Sequence, residues 1–361
     1  MQTINPHILN IEKLSSTLHE FDAIIDVRSP AEFALDHIPG AINLPVLNNE
    51  ERIEIGTLYK QVSPFAAKKL GAAYVSRNIA YHLENSLIDF PREWHPLIYC
   101  WRGGERSGAF THILNRIGWK AMQLENGYQG FRRIVIDGLD QAAKEFSFQV
   151  IAGMTGSGKN RILQEIGALG EQILDLEGLA IHRGSVLGNE PNIEQPSQKG
   201  FETNLWNAFN SLDPAKIVFV ESESKKVGGL HIPDALMERI RNGQCIELRS
   251  STKTRVSWLL REYQHFLSNP ESFKEKLSLL TSRYGKVQID KWHESIDQGD
   301  FGALVEELLV LHYDPSYQSS IVRNFPSYRE DHYVELQDDG DEAFALAAKD
   351  LISKAKIQLK A

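Results

Sequence analysis

Short apolar runs, bounded by turn residues, alternate along this chain with stretches of helical spacing. The first run, residues 21–27, carries Ile24, Ile25 and Val27 and breaks at Arg28-Ser29-Pro30. Residues 31–35 are spaced as a turn or more of helix. His37-Ile38-Pro39-Gly40 then turns the chain into a second run, 41–44. Residues 97–99 predict a third strand, followed at once by the Gly-rich segment 100–108, helical spacing over 111–117, and a fourth strand at 122–124. Strands alternating with helices predict a parallel sheet covered on both faces. Residues 137–145 are polar and helix-prone and read as a junction. The pattern then restarts. An apolar run at 148–152 leads straight into Gly153-Met154-Thr155-Gly156-Ser157-Gly158-Lys159 and a helix carrying Ile162, Leu163 and Ile166. Further strands are predicted at 216–220 and 245–248, with helical spacing over 256–267 and 301–311. The expected fold is α/β throughout. An N-terminal parallel-sheet domain spans 1–137, a linker 138–146, and a second parallel-sheet domain with a helical C-terminal part 147–361. The polar stretch 184–200 is long for a connection, a length usual in functional or mobile loops.

Composition narrows the setting. Of 361 residues, 42% are hydrophobic and 24% charged, ordinary for a soluble globular protein of two or three domains. The two cysteines, Cys100 and Cys245, form neither a CxxC pair nor a zinc spacing. A reducing compartment and no metal site are therefore expected. No stretch approaches the ~20 apolar residues of a membrane span, and residues 1–10 lack a secretory pattern. The expected location is the cytoplasm, with no membrane partner. A net charge of -9 excludes a protein coated in positive charge, yet a local basic patch can still bind nucleic acid.

The segment from Cys100 through Trp101, Arg102, Gly103, Gly104, Glu105 and Arg106 to Ser107 lies between a predicted strand and a helix. A loop there can aim successive N–H groups, backed by a helix N-terminus, at one centre. The same field favours the thiolate of Cys100, the nucleophilic form. Arg102 and Arg106 can hold an oxyanion, and Gly103 and Gly104 allow the backbone to form a cradle. Cys100 is thus the candidate catalytic residue, with Arg102, Gly103, Gly104 and Arg106 as anion holders. The alternative is a small buried hydrophobe at a strand end.

In the second half, Gly153-x4-Gly158-Lys159 follows a strand and opens a helix, the context a phosphate-binding P-loop requires. Gly153, Gly156, Ser157, Gly158 and Lys159 are its candidate phosphate contacts. Asn160 stands where Ser or Thr ordinarily coordinates Mg²⁺. That favours a diphosphate or nucleic-acid phosphate over Mg-dependent nucleotide hydrolysis and leaves a Mg²⁺ requirement open. Glu221 and Glu223 sit where a metal-holding strand-end acid could lie, or are solvated carboxylates.

The stretch Ile25-Asp26-Val27-Arg28-Ser29-Pro30-Ala31-Glu32-Phe33, with His37-Ile38-Pro39-Gly40-Ala41-Ile42-Asn43-Leu44-Pro45, resembles the rhodanese signature, in which the cysteine carries a persulfide. Here five residues, not four, separate Cys100 from Arg106. This wider loop is similar to those of cysteine phosphatases and suits a phosphate-sized anion, although Tyr99 replaces the histidine usual before a phosphatase cysteine. The whole chain resembles the tRNA 2-selenouridine synthase family. The resemblance rests on the cysteine loop, the P-loop, and a third stretch, Asp175-Leu176-Glu177-Gly178-Leu179-Ala180 with His182-Arg183-Gly184-Ser185. It implies that tRNA carrying wobble 2-thiouridine is the partner, and that geranyl diphosphate and selenophosphate are co-substrates, with no tightly bound cofactor. Sulfur would be geranylated and the geranylthio group replaced by selenium. The P-loop would hold the diphosphate, and Cys100 would receive or relay selenium. His182, Arg183, Arg249, Lys253 and Arg255 are candidate substrate or tRNA contacts. Competing readings are a P-loop kinase or NTPase with a rhodanese-like domain, a cysteine phosphatase, and a non-catalytic tRNA-binding module.

Overall fold

The computed structural model describes residues 7–102, 104–185, 188 and 193–358. Its contacts divide the chain into two compact units: Met1–Gly138 with Ser197–Asn207, and Leu139–Pro196 with Ala208–Ala361.

The first unit is built on β1 (Ile8–Leu9), β2 (Ala23–Asp26), β3 (Ile42–Asn43), β4 (Pro96–Tyr99) and β5 (Met122–Leu124), all parallel, in the order β1-β5-β4-β2-β3. β4, buried at every residue, lies central, as continuous apolar runs do in parallel sheets. Ile25, Val27, Ile98, Phe110 and Leu114 pack into one core beside Cys100. The Asp26-Val27-Arg28 turn buries an ion pair. Arg28 Nε and Nη2 donate to both oxygens of Asp26 at 2.6–3.0 Å, with both residues almost fully buried. Arg28 Nη2 also donates to Asp36 O at 2.6 Å, and its guanidinium lies 3.9 Å from the Tyr128 ring centre. The pair therefore clamps the loop after β2 to the helix that begins at Gly127.

That helix, Gly127–Glu145, runs through the expected linker at 138–146. Phe131, Val135, Leu139 and Ala142 recur at helical spacing and are all buried, so an apolar stripe continues beneath the polar residues that suggested a junction. Residues 197–207, expected in the second domain, belong to the first unit. Thr203 Oγ1 donates to the buried Asp36 (3.1 Å), Arg132 pairs with Glu202, and Trp206 meets Phe131 edge-on at 5.5 Å.

The second unit carries β6 (Ser147–Ala152), β7 (Gln172–Leu174), β8 (Ile217–Glu221), β9 (Lys226–Val227), β10 (Leu230–His231), β11 (Gln244–Ser250) and β12 (Tyr333–Leu336). Five form a parallel sheet in the order β12-β11-β6-β8-β7; β9 and β10 make a separate antiparallel pair. β6 lies at the centre, so the Gly-rich loop leaves the middle of the sheet at the carboxyl ends of its strands, where open α/β sheets bind ligands. The helical C-terminal part packs its own core around Trp292, Leu277, Leu304 and Leu308. The helical pattern over 256–267 breaks at Tyr263 into Thr252–Glu262 and Gln264–Ser268. Among the described residues, no helix is long and apolar enough to cross a membrane.

Candidate functional site

Two sites emerge, one in each unit. In the first, β4 delivers Cys100 to the N-terminus of the helix Glu105–Ile117. The side chain is 4% exposed. Burial alone would push the thiol up. The Ser107 hydroxyl donating at 3.2 Å, the Gly104 and Ser107 N–H groups and the Arg106 charge outweigh it and hold Cys100 below the usual thiol range. Cys245 is the internal contrast. Equally buried, with only the Ala152 N–H as donor, it is pushed up to about 12 by burial and by the nearby Glu247. Gln123 Nε2 donates to Ser107 Oγ at 3.1 Å, which orients the hydroxyl proton toward the sulfur. Tyr99 stands where a phosphatase would have its histidine, and its hydroxyl accepts from the Ile38 N–H.

The two arginines of this loop differ. The Arg106 guanidinium is engaged by Glu32, at 2.9 and 3.4 Å. Burial would raise the Glu32 carboxyl, but Arg106, with the Ser29 N–H and Arg52, outweighs it and holds the carboxyl below its usual range. Ser29-x-x-Glu32 is a capping box, a signal in the sequence that marks Glu32 as a fixed acid. Arg102 is exposed and has no partner among the described residues. Arg102 and the Gly104 and Ser107 amides are therefore the groups ready for an incoming anion, while Arg106 positions the loop. Gly103 lies outside the described residues. Trp101 is 41% exposed and packs its ring 5.3 Å from Tyr128.

In the second unit, the loop after β6 takes the positive φ that only glycine adopts readily, with Gly156 at 79° and Gly158 at 82°. Side chains there would also collide: a Cβ on Gly158 would lie 2.6 Å from Phe344. Lys159 Nζ folds back to Gly153 O at 2.8 Å, and the Gly153 N–H donates to Tyr317 Oη. Ser157 is buried, and its hydroxyl has no partner among the described residues. The loop borders a cavity of about 470 Å³.

The third sequence stretch lines the same cavity. Asp175 caps the helix Leu176–Ala180 and accepts from Asn160 Nδ2 (3.1 Å) and Gln164 Nε2 (2.7 Å). Asn160 thus spends its amide nitrogen on Asp175, leaving only its oxygen to ligate. Among the described residues, no three His, Cys, Asp or Glu side chains gather to hold a metal. Glu177, Glu221 and Glu223 crowd behind Lys159. Burial first, and then Glu223, pushes Glu177 up to about 8. Burial, and then Glu177 and Glu223, pushes Glu221 well up, and burial raises Glu223. Glu221 Oε1 accepts from the Glu177 N–H at 3.1 Å, while Oε2 has no partner among the described residues. With Glu177 pushed up to about 8 and its two neighbours raised as well, the cavity tolerates an anion. Of the two acids left open by the sequence, Glu221 is buried and Glu223 is half-buried at the cavity wall. Glu177 was visible only as part of an uninterpreted stretch.

The predicted tRNA contacts separate. His182 is buried with Nδ1 accepting from the Gly184 N–H, and Arg183 donates to Glu262 O at 2.6 Å; both border the cavity. Arg255 is a correction. It is 3% exposed, and its guanidinium is spent on Thr155 O (2.8 Å) and Asp314 (2.5 and 3.0 Å), so it braces the P-loop from within. Arg249 is held by Glu247 and Glu330 O and lies over the Tyr333 ring. Lys253 is exposed and has no partner among the described residues. Part of the long 184–200 loop, residues 186–187 and 189–192, lies outside the described residues.

Comparison with known proteins finds a match for each unit. A family model for the rhodanese-like domain matches residues 10–134, and one for the tRNA 2-selenouridine synthase AAA domain matches 146–332. A tRNA 2-selenouridine synthase of Nitrosomonas europaea is 36% identical over 264 residues, covering 72% of this chain and 68% of the relative. That of Alcanivorax borkumensis is 36% identical over 333 residues, covering 83% and 90%. Among solved structures, a rhodanese-related protein from Thermoplasma volcanium aligns at 18% identity and a TM-score of 0.24, covering 35% of this chain and 91% of that one. With a rhodanese-like unit, a P-loop unit and relatives at this identity over most of its length, the chain belongs to the tRNA 2-selenouridine synthase family.

Proposed function

We propose that this chain is a tRNA-modifying transferase that converts wobble 2-thiouridine to 2-selenouridine, using geranyl diphosphate and then selenophosphate. The observation that carries the reading is a pairing in one chain of this family: a cysteine at a helix N-terminus whose thiol is held below the usual range, and a P-loop whose metal-ligand position is an amide bound to Asp175.

In the first step the C2 sulfur attacks C1 of geranyl diphosphate. The S–C1 bond forms, the C1–O bond breaks, and diphosphate leaves with the electron pair while the base loses its N3 proton. The P-loop amides and Lys159 would hold the leaving diphosphate, a stabilisation of developing charge that needs no hydrolysis. In the second step selenium bonds to C2 and the geranylthio group departs as thiol.

Selenium in selenophosphate already stands at the selenide level. Passing it to a thiolate as a perselenide would need an oxidant. Attack by the Cys100 thiolate on phosphorus needs none. The S–P bond forms, the Se–P bond breaks, selenide leaves with the electron pair, and water later releases phosphate from the cysteine. The five-residue spacing to Arg106, the Ser107 hydroxyl and the free Arg102 suit a tetrahedral phosphoryl group better than a lone selenium atom. Selenide so released would displace the geranylthio group.

Mass spectrometry of the nucleosides of 2-thiouridine tRNA incubated with the protein tests the reading. Geranylthiouridine is expected with geranyl diphosphate alone, and selenouridine once selenophosphate is added. Untouched 2-thiouridine under both conditions overturns it, and phosphate release from an aryl phosphate would then favour the phosphatase reading.

A further inference from the structure

A second, apolar cavity opens from the P-loop cavity. The two share Thr155, Ser185, Leu259 and Tyr263. Beyond that junction the slot is walled by Leu260, Phe266, Phe273, Val305 and Leu308, with almost no polar surface. The few polar groups at its mouth are satisfied internally: the Tyr263 and Tyr313 hydroxyls both hydrogen-bond to Ser185. One wall is a single π-helical turn, Leu309–Tyr313, a distortion that often accompanies function in helices. The others are short separate helices, Gln264–Ser268, Pro270–Ser278 and Phe301–Leu308.

A phosphate cradle that continues into a hydrocarbon-lined slot fits a ligand with an anionic head and an apolar tail. We infer that the slot receives the hydrocarbon tail of an allylic diphosphate whose head lies on the P-loop. This rests on the proposed use of a prenyl diphosphate and adds where the chain goes and which residues set its length. The reacting C1 atom would sit at the junction beside Thr155 and Tyr263, with the slot directing the tail away from the diphosphate. The free slot is about 50 Å³, too narrow for ten carbons without movement. Entry therefore parts the short helices, and the walls select for length. The sequence shows no trace of the slot because its residues come from five separate elements and read individually as helix-core positions.

The test is calorimetric binding of inorganic diphosphate, dimethylallyl diphosphate and geranyl diphosphate to the full chain, wild type and Val305→Trp. Val305 is only partly buried, so the substitution fills the slot from its rim. Burying five further carbons predicts geranyl diphosphate tighter than dimethylallyl diphosphate by on the order of 1,000-fold in wild type. Val305→Trp should abolish that difference and leave inorganic diphosphate binding unchanged. Equal binding of the two prenyl compounds by wild type, with inorganic diphosphate bound, overturns the slot and spares the P-loop reading. So does a Val305→Trp protein that keeps the full chain-length preference. Should Val305→Trp lose inorganic diphosphate as well, the wild-type chain-length series decides alone. If wild type binds none of the three, the slot and the prenyl diphosphate reading fall together.

Discussion

Ser107→Ala removes one hydroxyl and nothing else from the Cys100 site. In the native chain that hydroxyl donates to the sulfur at 3.2 Å while Gln123 holds it in place. A hydrogen bond to a charged acceptor contributes about 1.5–3 kcal/mol. The sulfur is a weaker acceptor than oxygen, so the lower end applies, and 1.4 kcal/mol is a factor of ten. The variant's thiol equilibrium should therefore shift toward the protonated form by about tenfold. The Gly104 and Ser107 amides and Arg106 remain, so the shift stays partial. Thiolate absorbance in the ultraviolet reads this directly. Cys245, pushed up to about 12, stays silent through the neutral range, so the titration reports Cys100 alone. The expected result is a midpoint moved toward alkaline pH, with selenation at neutral pH reduced in proportion and geranylation unaffected. A midpoint identical to wild type would refute the argument that side-chain donation holds the thiolate.

Arg28→Ala leaves Asp26 buried and unpaired. Breaking a buried pair in this way costs about 3–5 kcal/mol, so the unfolding transition of the first unit should fall by roughly 6–20 °C in calorimetry. Glu177, held protonated up to about 8, turns into an anion as pH rises through that value. Diphosphate binding should weaken between pH 7 and 9, and Glu177→Gln should flatten the profile relative to wild type. Lys253→Ala should reduce the slope of log affinity for tRNA against log salt, whereas Arg255→Ala should lower thermal stability and diphosphate binding without changing that slope. Wild type quenched in acid during turnover with selenophosphate should carry one phosphoryl group on Cys100, seen by intact-protein mass; a selenium adduct in its place would contradict attack on phosphorus.

Apolar strands ending in a Gly-rich loop are legible because pattern and punctuation agree: β4 and β6 lie where the apolar runs put them, each delivering its loop to a helix N-terminus. Less visible are β1, β7 and β12, edge strands of two to four residues, too short for their apolar positions to show a period. The 22-residue helix Pro64–Asn85 was also missed. It buries only Ala67, Ile79 and His82, too few to print a period on the sequence. Arg255 looked like one of a run of surface cations. Charge counting cannot distinguish a solvated guanidinium from one braced between Thr155 O and Asp314, which are brought together only by the fold. The cysteine loop misled in a smaller way. The spacing offers Arg106 to the anion, but Glu32, 74 positions away in the chain, holds its guanidinium.

The division of labour between the two sites is tested most directly by nucleoside mass spectrometry of 2-thiouridine tRNA treated with geranyl diphosphate and selenophosphate, comparing wild type, Cys100→Ala and Lys159→Ala. The account predicts selenouridine from wild type, accumulated geranylthiouridine from Cys100→Ala, and unreacted 2-thiouridine from Lys159→Ala. Selenouridine formed at the wild-type rate by Cys100→Ala, or geranylthiouridine formed at that rate by Lys159→Ala, would contradict it.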